Sequence, residues 1–347
     1  MNISNNTTTP ISINATASAG FQYIGGVVTQ VLFGIIAILS IVGNALVLAL
    51  FSYSKQLRNY SHGILIWNLA LVDLLTGIFI IVTPAHIIRE AYPDPPPGLA
   101  GSLFCKLIGV ETFTFSFGVI SMSILAILSL ERRYGVVKPY LHARYFRRNR
   151  TKIMIVFAWI WGIILNVTNI IQGVHHQGSQ PPCGWESLAG GPIVQKTVYG
   201  ILFVLRFLLP LLCIVICYAN ILAHMRSTIR DLTEAMDKKE TVTYKIAKKV
   251  TITCAVTSLA FLLCWLPNQI YFTLINFQAA TINSDIHFVT KLLILFNSCI
   301  NPFIYVSINH YYRQEFIKMM RLNNYSGYKS RAAMMSLSLA NTNSPTE

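Results

Sequence analysis

Residues Val27–Phe51 read VVTQVLFGIIAILSIVGNALVLALF, a run without one acidic or basic side chain. About 20 such residues, wound as a helix, cross the hydrocarbon core of a bilayer. Six further stretches are apolar with at most two charged residues each: Gly63–Ile88, Leu103–Leu130, Met154–Ile171, Val198–Leu222, Val250–Phe277 and Phe288–Ser307. Helices satisfy their own backbone hydrogen bonds, which is why a chain in lipid resolves into segments of this kind. Short segments of strand-period alternation are absent, so a barrel is not expected. Composition agrees. The 347 residues are 54% hydrophobic and 12% charged, against roughly 25% charged in soluble domains. The fold class expected is an all-α membrane protein, a seven-transmembrane helix bundle.

The net charge of +14 could suggest a nucleic-acid partner. Its distribution argues against one, because no continuous soluble basic face exists. Most Lys and Arg fall in alternate loops. Lys55 and Arg58 follow the first stretch, a cluster from Arg132 to Lys152 follows the third, one from Arg226 to Lys249 precedes the sixth, and Arg313 to Arg331 lie after the seventh. The positive-inside rule then sets those loops in the cytoplasm and the N-terminus outside, in a multi-pass plasma-membrane protein. Four segments follow: an extracellular tail 1–23, a bundle 24–308, a short amphipathic helix 309–322 and a disordered cytoplasmic tail 323–347. The first tail carries glycosylation sequons at Asn2, Asn5, Asn6 and Asn14. Asn59, Asn166 and Asn324 also match the pattern, but topology keeps them from the glycosylation machinery.

Five of seven cysteines, Cys213, Cys217, Cys254, Cys264 and Cys299, lie in apolar stretches and read as small buried hydrophobes. Cys105 and Cys183 differ. One begins the third stretch and the other lies in the loop between the fourth and fifth, both on the oxidising side, so a disulfide between them is the best pairing.

Polar groups in lipid are costly and mark function. Asp73 in the second stretch has two open roles: a protonated carboxyl kept for packing, or a cation or proton site with oxygens from Ser121, Asn297 and Ser298. The third stretch ends Ser129-Leu130-Glu131-Arg132-Arg133-Tyr134, where a carboxylate can restrain its neighbouring arginine. The sixth contains Phe261-Leu262-Leu263-Cys264-Trp265-Leu266-Pro267, and the seventh Asn297-Ser298-Cys299-Ile300-Asn301-Pro302-Phe303-Ile304-Tyr305. Pro84, Pro210, Pro267 and Pro302 each offer a bend by freeing a backbone carbonyl.

In this order, Asp73, Glu131-Arg132, Cys264-Trp265-Leu266-Pro267 and Asn301-Pro302-x-x-Tyr305 resemble a rhodopsin-like, class A G-protein-coupled receptor, of the peptide-receptor type. Asn44, Trp159, Pro210 and Tyr218 fit as well, and the likeness runs from about Ile24 to Leu322. It implies that Arg132 is a switch held by Glu131 at rest, meeting Tyr218 and Tyr305 on activation and facing a heterotrimeric G protein. Lys249 would line the opened cavity, with Tyr140 as an apolar plug. It implies a sodium site at Asp73, Ser121, Asn297, Ser298 and Asn301. Trp265 would be the pivot below the ligand, with Phe261, Met122, Pro210 and Pro267 as the relay. Arrestin and a receptor kinase would be further partners, and Tyr312–Phe316 would open the eighth helix. Departures stand beside the likeness. Arg133 replaces the usual aromatic, the fourth stretch lacks a proline after Trp159, and Ala247 offers Arg132 no acidic partner. The Cys105–Glu131 interval is slightly long, and no cysteine follows helix eight for palmitoylation.

Helical spacing assembles a pocket. Glu111, Thr114, Phe115, Gly118 and Met122 share one face of the third stretch. Trp265, Asn268 and Phe272, with Gln269 alongside, share one face of the sixth. Tyr199, Phe203 and Arg206 approach from the fifth, and His287, Lys291 and Leu295 from the seventh. Thr114 stands where amine receptors resembling this chain carry an aspartate, and Leu295 where opsins carry the retinal lysine, which disfavours both ligands. Arg206 has two open roles, pairing with Glu111 or binding an acidic ligand group as a planar fork. A pocket with Glu111, Arg206 and Lys291, rimmed by Arg89, Glu90 and His287, suits a peptide bearing both charges. A lipid or other small acid is the second choice. His175-His176 reads as ordinary loop histidines, since adjacent residues rarely converge on one ion.

Other classes of function fare less well. No nucleophile and base suggest an enzyme. A transporter or channel is the serious rival, because buried charges also mark ion paths, but no internal repeat is evident.

Overall fold

The computed structural model describes residues 26–84, 86, 94–178, 182–232, 238–281, 283–308 and 312–321. Among them are seven helices long and apolar enough to cross a membrane: Val27–Tyr53, Ser61–Val82, Leu99–Val137, Arg148–Gln172, Gly191–Arg226, Lys248–Asn276 and Asp285–Ile308. The third, fourth and fifth overrun their apolar stretches by a turn or more, taking in Lys and Arg at the ends. Long basic side chains can lie along the helix there and keep their charge in the polar layer. The four sequons expected to carry sugar and the tail 323–347 lie outside the described residues. So do Arg89 and Glu90, and nothing is described of the Ala247 side chain. Residues 312–321 are helical.

The third span is the axis of the bundle. In its most apolar window 72% of residues are buried, against 28% in the fifth span and 33% in the first and fourth. The core runs around it through Leu65, Leu69, Ile120, Ile124, Leu128, Ile214, Phe261 and Tyr305. The peripheral spans turn Val31, Ile35, Ile38, Val156, Phe157, Ile160, Leu212 and Ile216 outward. On a soluble protein that face would be an adhesive patch. Here it is the surface that lipid wets.

Four spans depart from straight α-helix near one end of the bundle. The second stops at Val82, with Thr83 extended (φ −78°, ψ 118°). The reason is Pro84, whose ring drives the preceding residue out of helical conformation. This corrects the expectation that the span continues to Ile88 with a bend inside it. The third contains a π-turn at Cys105–Gly109, breaks at Val110, and resumes at Thr112. Between the two, Glu111 takes a left-handed conformation with φ 59°. The fourth breaks at Asn166, whose side chain is buried and donates to the Gly162 carbonyl at 2.8 Å. The fifth has a π-turn at Val204–Leu208, just before Pro210. Pro267 and Pro302 lie inside their helices. Gly43 admits the Pro302 ring, whose Cγ would stand 3.0 Å from a Cβ there.

Between the fourth and fifth spans, β1 (Gly173–His175) pairs antiparallel with β2 (Cys183–Trp185), with His175 opposite Cys183. No strand was expected in this loop, and the small hairpin is a correction to that reading. Cys183 is disulfide-bonded to Cys105, which ties the hairpin to the end of the third span. Gly109 makes room for it, since a side chain there would meet the Cys183 sulfur. This end of the bundle is called the disulfide end below, and the opposite one the Arg132 end.

Candidate functional site

Polar side chains line the bundle axis in three groups. The middle group surrounds Asp73, which is 2% exposed. Its Oδ2 accepts from Asn301 Nδ2 at 2.7 Å. Ser40 donates to its backbone carbonyl at 2.8 Å, and Asn44 donates to the Ser298 carbonyl at 2.8 Å. These bonds sew the first, second and seventh spans together. Beside them is a chamber of about 10 Å³ lined by Asp73, Ser121, Asn297 and Ser298, with Thr114, Gly118 and Trp265 closing one side. Four of the five expected oxygen-bearing residues thus line one chamber, and Asn301 adjoins it through its bond to Asp73. The Oδ1 atoms of Asn297 and Asn301 are buried without a hydrogen-bond partner. Buried polar atoms in proteins are mostly hydrogen-bonded, so these oxygens have acceptor capacity to spare. A chamber of this size holds one water or small ion.

Above it, Trp265 lies against the backbone of Gly118, where any side chain would overlap the indole. Phe261 stacks on Trp265 with centroids 5.4 Å apart and planes 7° from parallel. Met122 is buried in the same core as Phe261 and Trp265, and Pro210 is half-buried.

Toward the disulfide end, Glu111 forms an ion pair with Lys291, and both are buried. His86 Nε2 stands 3.6 Å from the second carboxylate oxygen. Sequence spacing missed His86 because it follows the end of the second span. Phe115 meets Phe272 at 6.2 Å, and Phe272 meets His287 at 5.7 Å. Asn268 donates to Thr290 at 3.4 Å, and Gln269 is half-buried beside it. Thr114 is buried in the wall of the middle chamber.

Arg206 is elsewhere. Its Nε donates to the Leu165 carbonyl at 2.9 Å, and its Nη2 to the same carbonyl and to Thr168 Oγ1, the latter at 3.1 Å. It does not pair with Glu111 here. The break at Asn166 exposes a helix-end carbonyl, and the cation covers it. Tyr199 donates to Gln172, and Gln195 donates to Asn276 at 2.7 Å while accepting from the Leu188 N–H at 2.9 Å. Phe203 packs on Phe207 at 6.0 Å. The fifth-span residues therefore serve a seam with the fourth and sixth spans, apart from the Glu111–Lys291 centre.

At the Arg132 end, Glu131 pairs with Arg132, and both are buried. Glu131 also accepts from Ser61, and from His142 Nε2 at 2.8 Å. His62 Nδ1 lies 3.1 Å from Arg132 Nη2. Ser61, His62 and His142 were not anticipated. No spacing rule joins the start of one helix to the loop after the next. Tyr305 is buried, its ring 6.2 Å from Tyr312. Tyr218 is half-buried, while Lys249 is exposed and Tyr140 is 73% exposed.

Comparison with known proteins gives a consistent result. A family model described as 7 transmembrane receptor (rhodopsin family) matches residues 43–305. Somatostatin receptor type 4 of Rattus norvegicus is 26% identical over 319 residues, covering 89% of this chain and 77% of its own length. Galanin receptor type 1 of Mus musculus is 26% identical over 304 residues, covering 85% and 82%. Trace amine-associated receptor 7h of Rattus norvegicus is 27% identical over 291 residues, covering 81% and 78%.

Proposed function

The chain belongs to the rhodopsin family of seven-transmembrane receptors, and on that premise we propose that it is a peptide-activated member that drives guanine-nucleotide exchange on a heterotrimeric G protein. It is a multi-pass plasma-membrane receptor and not an enzyme. The charge pattern supports an extracellular N-terminus, so the disulfide end is the ligand side and the Arg132 end faces the cytoplasm.

One observation carries the coupling role. Arg132, on the axial span, is a buried cation held by one carboxylate at the mouth of the bundle. A buried pair is stable only while both partners stay matched, so outward movement of the sixth span about Pro267 gives the guanidinium a competing partner. Ligand contacts that lift Trp265 off Gly118 would favour that movement by population shift. Tyr218, Lys249, Asn301, Pro302 and Tyr305 would line the opened cavity, and Tyr140 would project from its edge.

The peptide reading rests on the Glu111–Lys291 centre. It presents both charge signs in one buried site, which a chain with ammonium and carboxylate groups can exchange with its own. Two of the relatives are named for the peptides somatostatin and galanin. The lipid-acid reading is weaker, because Arg206 is bonded to Leu165 and Thr168. Sodium fits the middle chamber by chemistry: a carboxylate, two hydroxyls and the orphan amide oxygen of Asn297 are the hard donors such a cation takes. Bound there, it would supply positive charge to Asp73 and favour the resting bundle.

The test is nucleotide exchange in membranes from cells expressing the chain, with a neuropeptide library as ligand and ion flux recorded in parallel. Exchange should appear with a peptide and vanish in Arg132→Ala at equal surface level. Ion conduction without exchange would make the chain a channel.

A further inference from the structure

Glu131 has no exposed surface, and the groups around it come from three elements. Ser61 and His62 open the second span, Arg132 follows on the third, and His142 belongs to the loop helix Pro139–Tyr145. His62 stands beside both the guanidinium and the carboxylate that holds it. Its Nδ1 is 3.1 Å from Arg132 Nη2 and 4.0 Å from Glu131 Oε1. A guanidinium nitrogen can only donate. His62 Nδ1 therefore accepts, and carries no proton while that bond exists.

Adding a proton to Nδ1 has three effects in one place. The acceptor is lost, a second cation stands 3.1 Å from the first, and the new N–H faces the carboxylate that restrains Arg132. We propose that His62 is a positioning residue for Arg132: neutral, it holds the guanidinium on Glu131, and protonated, it takes the carboxylate for itself and releases the arginine. The inference rests on reading Arg132 as the switch of the cytoplasmic face. The groups facing His62 are Arg132 and Glu131 from the third span, His142 from the loop helix, and Tyr60, whose ring stacks on the imidazole at 5.3 Å. His142 differs in kind. It donates to Glu131, and a histidine can do that with or without its second proton. The His62 side chain is 13% exposed, enough for protons to reach it from that end.

The sign follows from linkage. The released state binds one more proton than the held state, so falling pH favours release. With an ordinary histidine pKa of about 6.5 once Arg132 has left, going from pH 7.4 to 6.4 should raise the released-to-held ratio about two-fold.

The experiment uses the full chain in lipid nanodiscs, spin-labelled at Arg150→Cys and Lys248→Cys on the exposed Arg132 end, with distances read by pulsed resonance. The long-distance population should rise about two-fold relative to the short one at pH 6.4. His62→Asn keeps an acceptor near the Nδ1 position without titrating, and should be flat between the two pH values. His62→Lys carries a fixed charge and should show the long distance at both. His142→Gln should still respond. An unresponsive native chain, or His62→Asn tracking pH as the native chain does, overturns the proposal. In the latter case the proton belongs to Glu131 or His142. No G protein is present, so a pH-dependent distance without nucleotide exchange would count against the coupling function and leave this inference standing.

Discussion

The Trp265 indole rests on the bare Cα of Gly118, so that two spans touch where one side chain has been deleted. The third span thereby fixes the depth at which the sixth can seat its largest aromatic. Gly118→Ala adds a methyl where none fits, and overpacking of this kind costs about 1–3 kcal/mol. That cost falls on the resting arrangement. Basal nucleotide exchange should rise several-fold and the ligand-free receptor should melt a few degrees lower. Exchange at the native level with unchanged melting would show that Trp265 is not seated on Gly118.

Glu111 and Lys291 are 180 residues apart and buried together. Removing one partner of such a pair leaves a charge in a poor solvent, at a cost of about 3–5 kcal/mol. Lys291→Ala should therefore lower surface level and thermal stability. Glu111→Lys combined with Lys291→Glu should recover much of both. A double variant no better than either single would mean that the pair is not the reason these residues matter.

Arg206 covers a helix-end carbonyl at Leu165. Hydrogen bonds to charged groups contribute about 1.5–3 kcal/mol. Arg206→Met should lower the melting temperature while leaving peptide affinity within a few-fold of native. The opposite outcome, native stability with affinity down ten-fold or more, would return Arg206 to the ligand.

On the proposed sodium reading, Asp73 and the orphan oxygen of Asn297 would hold a small hard cation in the middle chamber, beside Asn301, which is bonded to Asp73. Asp73→Asn removes the formal charge and keeps the shape. Agonist binding to the native receptor should weaken as sodium replaces a large organic cation at constant ionic strength, and this dependence should disappear in the variant. Sodium sensitivity that survives Asp73→Asn would reject the ion site.

The seven apolar stretches, the pairing of Cys105 with Cys183 and the ordered motifs from Asp73 to Tyr305 were legible because each is a local property. Hydrophobicity over about 20 residues decides whether a segment enters lipid, and a helix end carrying Glu131-Arg132 keeps those residues adjacent whatever it packs against. The polar residues that gather around Asp73 could be named too, since the motifs that carry them fix their faces.

Partner choice across spans was decided only by the tertiary structure. Side chains advance about 100° per residue around a helix, so the π-turns at Cys105–Gly109 and Val204–Leu208 rotate whatever adjoins them by an amount no periodic pattern contains. That phase shift, with the left-handed step at Glu111, turns its carboxylate to Lys291 and leaves Arg206 to the broken end of the fourth span. The same holds for His62 at the other end. Its chemistry depends on a guanidinium 70 residues away in the chain and 3.1 Å away in space, a distance set by how two rods pack.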